Sequence, residues 1–521
     1  MRHRRGFASG RARSRPDACP GPQRIVLAIL LVVAAGAARA ETWRIVPSVS
    51  LGETYSDNVA LAADDLRQRG WITDLSPGLR VDANGARVRG FLEYRLHELR
   101  YSGASQLDSS QNFLASRFTV EAFKNYLFVD ARADTTQESR SPFGSVSAPG
   151  SPTSSANSVE TTTVQVSPYL KGAVGTSANY QLRLSEGEIR TDDATLPDTR
   201  TTEWIGRIGG QPSSATLNWL VEGSTVSARN DVIGKLDDSR LRAKLFVSVR
   251  SDLRFWLGEG YDRTDFAGPP ERRNDTPGVG FAWIPSPRTQ VAGLIERRFF
   301  GDGYSASATH RARRTVFRIS TRKDAAILPG LSGAGGRASL AELLAELLAS
   351  TVADPDAREE QARSQVSTLG LPASTPLSGS LLSARPVVYR SQEASAVFQG
   401  TIHTVTFSVS DREEREIGAD LSGGTVPVGS NDLSRRGYGA NWAARLTPNT
   451  TATISYTRLV TDGVSDGAPD TRQYDTSIRL VTRLGVRTSA TLGVRRAKFD
   501  TTAATGSYRE TAAFAVVSYG Y

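Results

Sequence analysis

Three histidines, His97, His310 and His403, and a heavy load of arginine are the residues of this chain best equipped for chemistry. A zinc site needs histidine or cysteine ligands at short, regular spacings. No two of these histidines stand so, and the single cysteine, Cys19, lies in the leader described below. A serine–histidine hydrolase would need His310 or His403 beside an activated serine, and no serine motif accompanies either. The glycine-rich stretches lack the lysine of a phosphate-cradling loop. The expectation is therefore no catalytic residue, no metal, no cofactor and no enzyme.

Arginine gives a positive signal. Arg297, Arg298, Arg311, Arg313, Arg314 and Arg318 form one cluster, and Arg483, Arg487, Arg495 and Arg496 form another. A planar guanidinium donates several hydrogen bonds at once, which suits anionic or hydroxyl-rich solutes. The plain structural alternative is cross-strand pairing with Asp and Glu. These ten residues are the candidate lumen wall, provided that the surrounding elements enclose a lumen.

Those elements read as strands. "LSPGLRVD" puts Leu75, Leu79 and Val81 on one face and Arg80 and Asp82 on the other; Asn84-Gly85 marks a turn, and the return places Val88, Leu92, Tyr94 and Leu96 together. The same period of two recurs along the chain, as in Leu241, Leu245 and Val247 against Phe255 and Leu257, and Tyr438, Ala440 and Trp442 against Ile454 and Tyr456. The strands run to ten residues or more, longer than those of ordinary soluble sheets. Tight turns alternate with long polar loops such as "SPFGSVSAPGSPTSSANSVE". A sheet in lipid must close on itself to pair every backbone group, and outer-membrane barrels segregate short turns from long loops. The predicted fold is an all-β transmembrane antiparallel barrel of about 18–22 strands over residues 41–521. Its last strand, "AAFAVVSYGY", would pair with the first near "TWRIVPSVSLGETY", leaving Val517, Tyr519 and Tyr521 toward lipid, an ending that resembles the C-terminal signature of Gram-negative outer-membrane proteins and so implies recognition by the barrel-assembly machinery.

Composition fits an exported barrel. Residues 1–40 combine a basic stretch, the apolar run "IVLAILLVVAA" and small residues up to Ala40, the pattern of a secretory signal peptide. That leader holds eight arginines and Asp17, so 55 basic and 53 acidic residues remain of the 63 and 54 in the whole chain. The net charge of +9 thus belongs largely to the leader, and no nucleic-acid partner is implied. Without cysteine downstream, the fold does not depend on disulfides.

One stretch, residues 324–386, breaks the alternation. Leu340, Leu343, Leu344, Leu347 and Leu348 recur at helical spacing behind a capping box of Ser339 and Glu342. Asp354-Pro355 starts a second helical pattern that stops before Gly370 and Pro372. About twenty-one strands can be counted, an odd number at variance with the even count of bacterial barrels. Either one strand is miscounted or the insertion traverses the lumen. It is a candidate gate or plug, or else a periplasmic cap.

The order of "WRIVPSVSLGETYSDNV", "THRARRTVFRIS", the helical "LLAELLASTVADPDAREEQ" and the terminal "VVSYGY" resembles the outer-membrane protein family associated with the PEP-CTERM/exosortase system. The resemblance covers nearly the whole mature chain. It implies a Gram-negative outer-membrane barrel in exopolysaccharide export or surface-protein sorting, with lipid, exopolysaccharide and other export components as partners. It brings no residue-level mechanism. A conduit for polysaccharide, a plugged docking barrel whose outer loops bind exopolysaccharide or surface proteins, and a general porin all fit these features.

Overall fold

The computed structural model describes residues 42–520, apart from 149–150, 152, 154, 194–196, 211–215, 231–233, 266–270, 327–343, 347, 350–351, 353–354, 369–385, 418–431, 465–466 and 504–505. The proposed leader, Leu340, Leu343, Leu347 and Tyr521 lie outside the described residues.

The strands follow one another as antiparallel neighbours. The chain opens with β1 (Thr42–Ser56), β2 (Gly70–Asn84), β3 (Val88–Tyr101), β4 (Ser109–Phe123), β5 (Leu127–Ser139), β6 (Ser158–Val174) and β7 (Ala178–Thr191). Next come β8 (Thr199–Gly210), β9 (Leu217–Asn230), β10 (Gly234–Arg250), β11 (Leu253–Thr264), β12 (Arg272–Asp275), β13 (Gly278–Ser286), β14 (Thr289–Arg298), β15 (Gly301–Arg311) and β16 (Thr315–Ala326). After the helix α1 (Pro355–Thr368) come β17 (Val387–Gln399), β18 (His403–Glu416), β19 (Leu433–Thr447), β20 (Thr450–Gly463), β21 (Asp470–Arg483), β22 (Thr488–Thr501) and β23 (Tyr508–Gly520).

Two of these segments are one stave. β12 and β13 both pair with β11 in a single register, Tyr261 facing Asp275 and Gly258 facing Gly278. Only Thr276 and Pro277 interrupt the ladder. Thr276 N–H still reaches the Gly260 carbonyl at 2.8 Å, but Pro277 has no N–H to give. The sheet therefore has twenty-two staves, which corrects the odd count of twenty-one. It closes where β23 meets β1, with Val517 opposite Leu51 and Tyr519 opposite Val49.

Register fixes the two faces. Ile45, Leu51, Leu170, Trp204, Leu241, Ile319, Phe407, Ile478 and Val517 are exposed on the outer surface, where apolar side chains belong in lipid. Trp219, Trp283, Trp442 and Tyr519 lie near one rim, and Tyr55, Trp71, Tyr261 and Tyr438 toward the other. These are the two aromatic girdles of a membrane barrel. The inner face carries serine, threonine, glycine and paired charges.

The connections sort by rim. One rim carries only turns of six residues or fewer, among them 85–87, 251–252, 312–314 and 448–449. Asn125, in the 124–126 turn, adopts φ +64, a left-handed conformation that asparagine tolerates better than most residues. The long connections 57–69, 140–157, 327–386 and 417–432 all leave the opposite rim. By the rule for outer-membrane barrels, the short-turn rim is periplasmic and the long-loop rim extracellular. β16 runs to Ala326 and β17 begins at Val387, so the insertion departs from the extracellular rim.

Candidate functional site: the lumen and the inserted helix

The inner wall is laced by ion pairs, many formed between residues two apart on one strand and hence on one face. Arg80 pairs with Asp82 at 2.9 Å, Arg240 with Asp238 at 2.7 Å, and Arg412 with Glu414. Across strands, Lys244 reaches Glu222 at 2.6 Å and Arg183 reaches Asp130 at 2.7 Å. Such pairs pin neighbouring staves together where few apolar contacts face inward.

The ten candidate arginines divide by register. Arg298, Arg311, Arg318, Arg483 and Arg495 point inward. Arg297 and Arg496 point outward beside inward neighbours, while Arg313, Arg314 and Arg487 lie in turns at the periplasmic rim. A period of two forbids both members of Arg297-Arg298 or Arg495-Arg496 from facing the lumen.

The inward five do different things. Arg298, with its side chain 1% exposed, holds Asp262 at 2.6 Å, Asp324 at 3.0 Å and Glu296 at 3.1 Å. Arg242 adds a bond to Glu296 at 2.9 Å, so one network ties β10, β11, β14 and β16. Arg495 is likewise buried against Glu510 at 2.8 Å. These two are braces, since a buried guanidinium among carboxylates has no face left for solute. Arg311 contacts the insertion, as described next. Arg318 and Arg483 are exposed to the lumen.

The described part of the insertion sits inside the barrel. Val316 and Val397 face inward at the periplasmic ends of β16 and β17, and they form a dry cluster with Leu344, Ala362 and Val366, all 1% exposed or less. Leu348 packs on its edge. Arg311 donates to the Glu346 carbonyl at 3.4 Å, and Gln399 to the Gln365 side chain at 3.4 Å. Pro355 opens α1, as expected for a residue whose missing N–H has no partner in a first turn.

The same stripe of α1, with Glu359, Ala362, Arg363 and Val366 at i, i+3, i+4 and i+7, also reaches a different wall. Arg363 lies over the Phe91 ring, 4.0 Å from its centroid, and holds Glu359 at 2.7 Å. Glu359 also faces Arg117 at 3.6 Å. Phe91 and Arg117 are a directly paired couple on the inner face of β3 and β4. In the closed sheet β3 and β4 stand nearly opposite β16 and β17. A helix touching both from within must cross the lumen, and it does so near the periplasmic rim. The described residues of the insertion thus lie within the bore near its periplasmic rim.

A second contact narrows the extracellular mouth. The connection after β5 is held by Asn157, which accepts from Ser141 N–H at 2.8 Å and donates to its carbonyl at 2.9 Å. From there Val146 receives the Tyr508 hydroxyl at 2.6 Å and the Gln473 amide at 3.3 Å. Ala148 packs with Leu61, Ala497, Phe499 and Tyr508. Tyr508 and Gln473 face inward on β23 and β21, so this loop bends in across the mouth.

The three histidines have separate surroundings among the described residues. His97, on the inner face of β3, brings Nδ1 to 2.9 Å from Asp74 and 3.0 Å from Ser76. A catalytic relay needs serine and carboxylate on different ring nitrogens; here both crowd one. His310 faces Thr289 at 2.9 Å, and His403 stacks on Trp442 at 5.8 Å.

Sequence reasoning missed Phe91, Arg117, Glu359 and Arg363. Nothing in their local pattern distinguishes them from their neighbours. It also missed the braces of Arg298, although Glu296-x-Arg298 shows the same-face spacing of opposite charges.

No family model matches the chain, and no curated protein matches it. Among solved structures, it is similar to the siderophore receptor PirA from Pseudomonas aeruginosa, with 8% identity, TM-score 0.44, and coverage of 93% of this chain and 81% of that one. It is similar also to the FrpB iron transporter from Neisseria meningitidis, with 10% identity, TM-score 0.47, and coverage of 94% and 83%. A mutant of the ferric enterobactin receptor PfeA from Pseudomonas aeruginosa gives 8% identity, TM-score 0.46, and coverage of 93% and 82%.

Proposed function

We propose that the protein is a conduit for an exopolysaccharide in the Gram-negative outer membrane, closed at rest by its own inserted helix. The observation that carries this reading is α1 bridging two opposite inner walls at the periplasmic end of the bore. A structural barrel has no need of a helix that enters from the extracellular rim and spans the lumen. A closed export path does, because an open bore would leak ions and small solutes. The sequence resemblance to the PEP-CTERM/exosortase-associated family supports exopolysaccharide as the cargo and other export components as periplasmic partners. The outward Val517 and Tyr519 on the closing strand suit the assembly machinery and then the surrounding lipid.

A plugged docking barrel is the second reading, and the inturned loop at Val146 and Ala148 favours it. Planar-bilayer recording separates the two. Replacing residues 327–386 by a short Gly-Ser turn should convert a silent protein into one with a steady large conductance, while heat-modifiable gel migration shows that the barrel still forms. Silence in the folded, deleted protein would favour docking, and the conduit reading would fall.

A further inference from the structure

The strongest unassigned feature of the inner wall is Trp256. It stands inward on β11, paired with Phe246 on β10 and with Gly280 on β13. Its indole lies flat against the wall because the wall there has no side chains. A Cβ added to Gly280 would meet the ring at 2.3 Å, one on Gly258 at 3.2 Å, and one on Gly278 at 3.4 Å. Three glycines thus form a bed that any other residue would spoil, and the ring borders the lumen-side hollow described next. The indole N–H has no protein partner among the described residues. Beside the ring is a hollow of about 250 Å³ lined by Phe246, Arg254, Trp256, Leu294, Ser305 and Ser307.

The polar lining has a definite character. Arg254 is exposed on the inner face and enters no ion pair among the described residues. Ser305 and Ser307 likewise carry hydroxyls without described partners. Lys244 lies 5.2 Å from the Trp256 centroid while bonded to Glu222. A flat aromatic face matches the C–H side of a pyranose ring, serine hydroxyls match its hydroxyls, and a free guanidinium matches a carboxylate bidentately. The same pairing of ring and cation recurs on the inner wall where Phe128 and Tyr169 stack 5.2 Å apart, with Lys171 over one and Arg183 over the other.

We infer that the Trp256 hollow is a saccharide subsite for an acidic polysaccharide, with a sugar ring on the indole, its carboxylate on Arg254 and its hydroxyls on Ser305 and Ser307. This rests on the conduit reading for its biological sense and narrows the cargo to uronate-bearing chains. The occupant is chosen by charge complementarity: the hollow offers an unpaired guanidinium, and none of its lining residues is acidic.

The test is equilibrium binding to the full chain in detergent, by calorimetry, with an oligogalacturonate and a neutral galacto-oligosaccharide of equal length as probes. The acidic probe should bind more tightly. Trp256→Ala should weaken it by roughly tenfold or more, with Trp256→Phe restoring much of the loss. Arg254→Gln should abolish the preference for acid over neutral. Trp283→Ala, a lipid-facing tryptophan on the neighbouring stave, should bind as the wild type, and heat-modifiable migration confirms folding of each variant. No binding by the wild type, equal affinity for the two probes, or undiminished binding by folded Trp256→Ala overturns the inference. Binding in a barrel that never conducts leaves the subsite standing and removes the conduit; conductance without binding does the reverse.

Discussion

One stripe of α1 makes two unlike contacts with the barrel. Against β16 and β17 it presents Ala362 and Val366 to Val316 and Val397, a contact with no water in it. Against β3 and β4 it presents Arg363 and Glu359 to Phe91 and Arg117, a contact whose ion pair is 54% and 40% exposed. Apolar burial holds at any salt concentration and gives nothing back until the whole cluster opens. An exposed pair and a partly buried cation–π contact are worth little beside a closed apolar cluster. The difference describes a hinge and a latch. The helix is seated on the β16–β17 wall and only leans on the β3–β4 one, so in the proposed conduit opening would break the β3–β4 contact first.

The largest expected effect comes from the seat. Val366→Asp would bury a carboxylate among side chains with no polar partner, at a cost of about 4 kcal/mol or more. That is roughly a thousandfold in the seated-to-unseated ratio. Bilayer recording should show the mutant open most of the time while its heat-modifiable migration stays normal, because no strand pairing is touched. A Val366→Asp protein as silent as the wild type would mean that the seat does not hold the plug.

How much of this was legible beforehand depends on what each feature is made of. The barrel follows from period and turn chemistry, which are local. Leu75, Leu79 and Val81 share a face whatever their partners are, and the seam of Val517 with Leu51 needs only that the sheet close. The count of about twenty-one falls one stave short of twenty-two because strand number depends on long-range register, and β16 and β17 pair directly across the insertion to which the odd count pointed. The helix could be foreseen, its first residue included, since Pro355 is a local signal. Its destination could not. Phe91 and Glu359 are separated by more than half the chain, and the lumen that brings them together exists only after closure. The arginine clusters fell between these cases. Period two could have excluded one of each adjacent pair, but which one faces inward depends on the neighbouring strands, and Arg298 became a brace only when Asp262 and Asp324 arrived from β11 and β16.

A smaller effect is expected at the latch. Phe91→Ala removes the ring beneath Arg363 and with it about 0.5–1 kcal/mol. Open events should become roughly two- to fivefold more frequent, while the dwell time of each stays set by the intact seat. If Phe91→Ala opened the pore as fully as Val366→Asp, the contrast between the two contacts would be false, and the helix would be better described as a strut wedged between equal walls.

The smallest effect belongs to the ion pair. Glu359→Lys places like charges beside Arg117 and Arg363, and the exposure of the site limits the penalty to about 0.5 kcal/mol. Adding Arg117→Glu restores an opposite-charge contact, so the double variant should return toward wild-type opening frequency. The single variant's excess openings should shrink as ionic strength rises to ~1 M, where the screening length falls to about 3 Å, less than the 3.6 Å that separates the pair. Val366→Asp should show no such recovery, since its penalty arises from desolvation inside a closed cluster. An excess opening by Glu359→Lys that is indifferent to salt would show the far contact to be buried in the working state, and the latch would then need to be redrawn as a second seat.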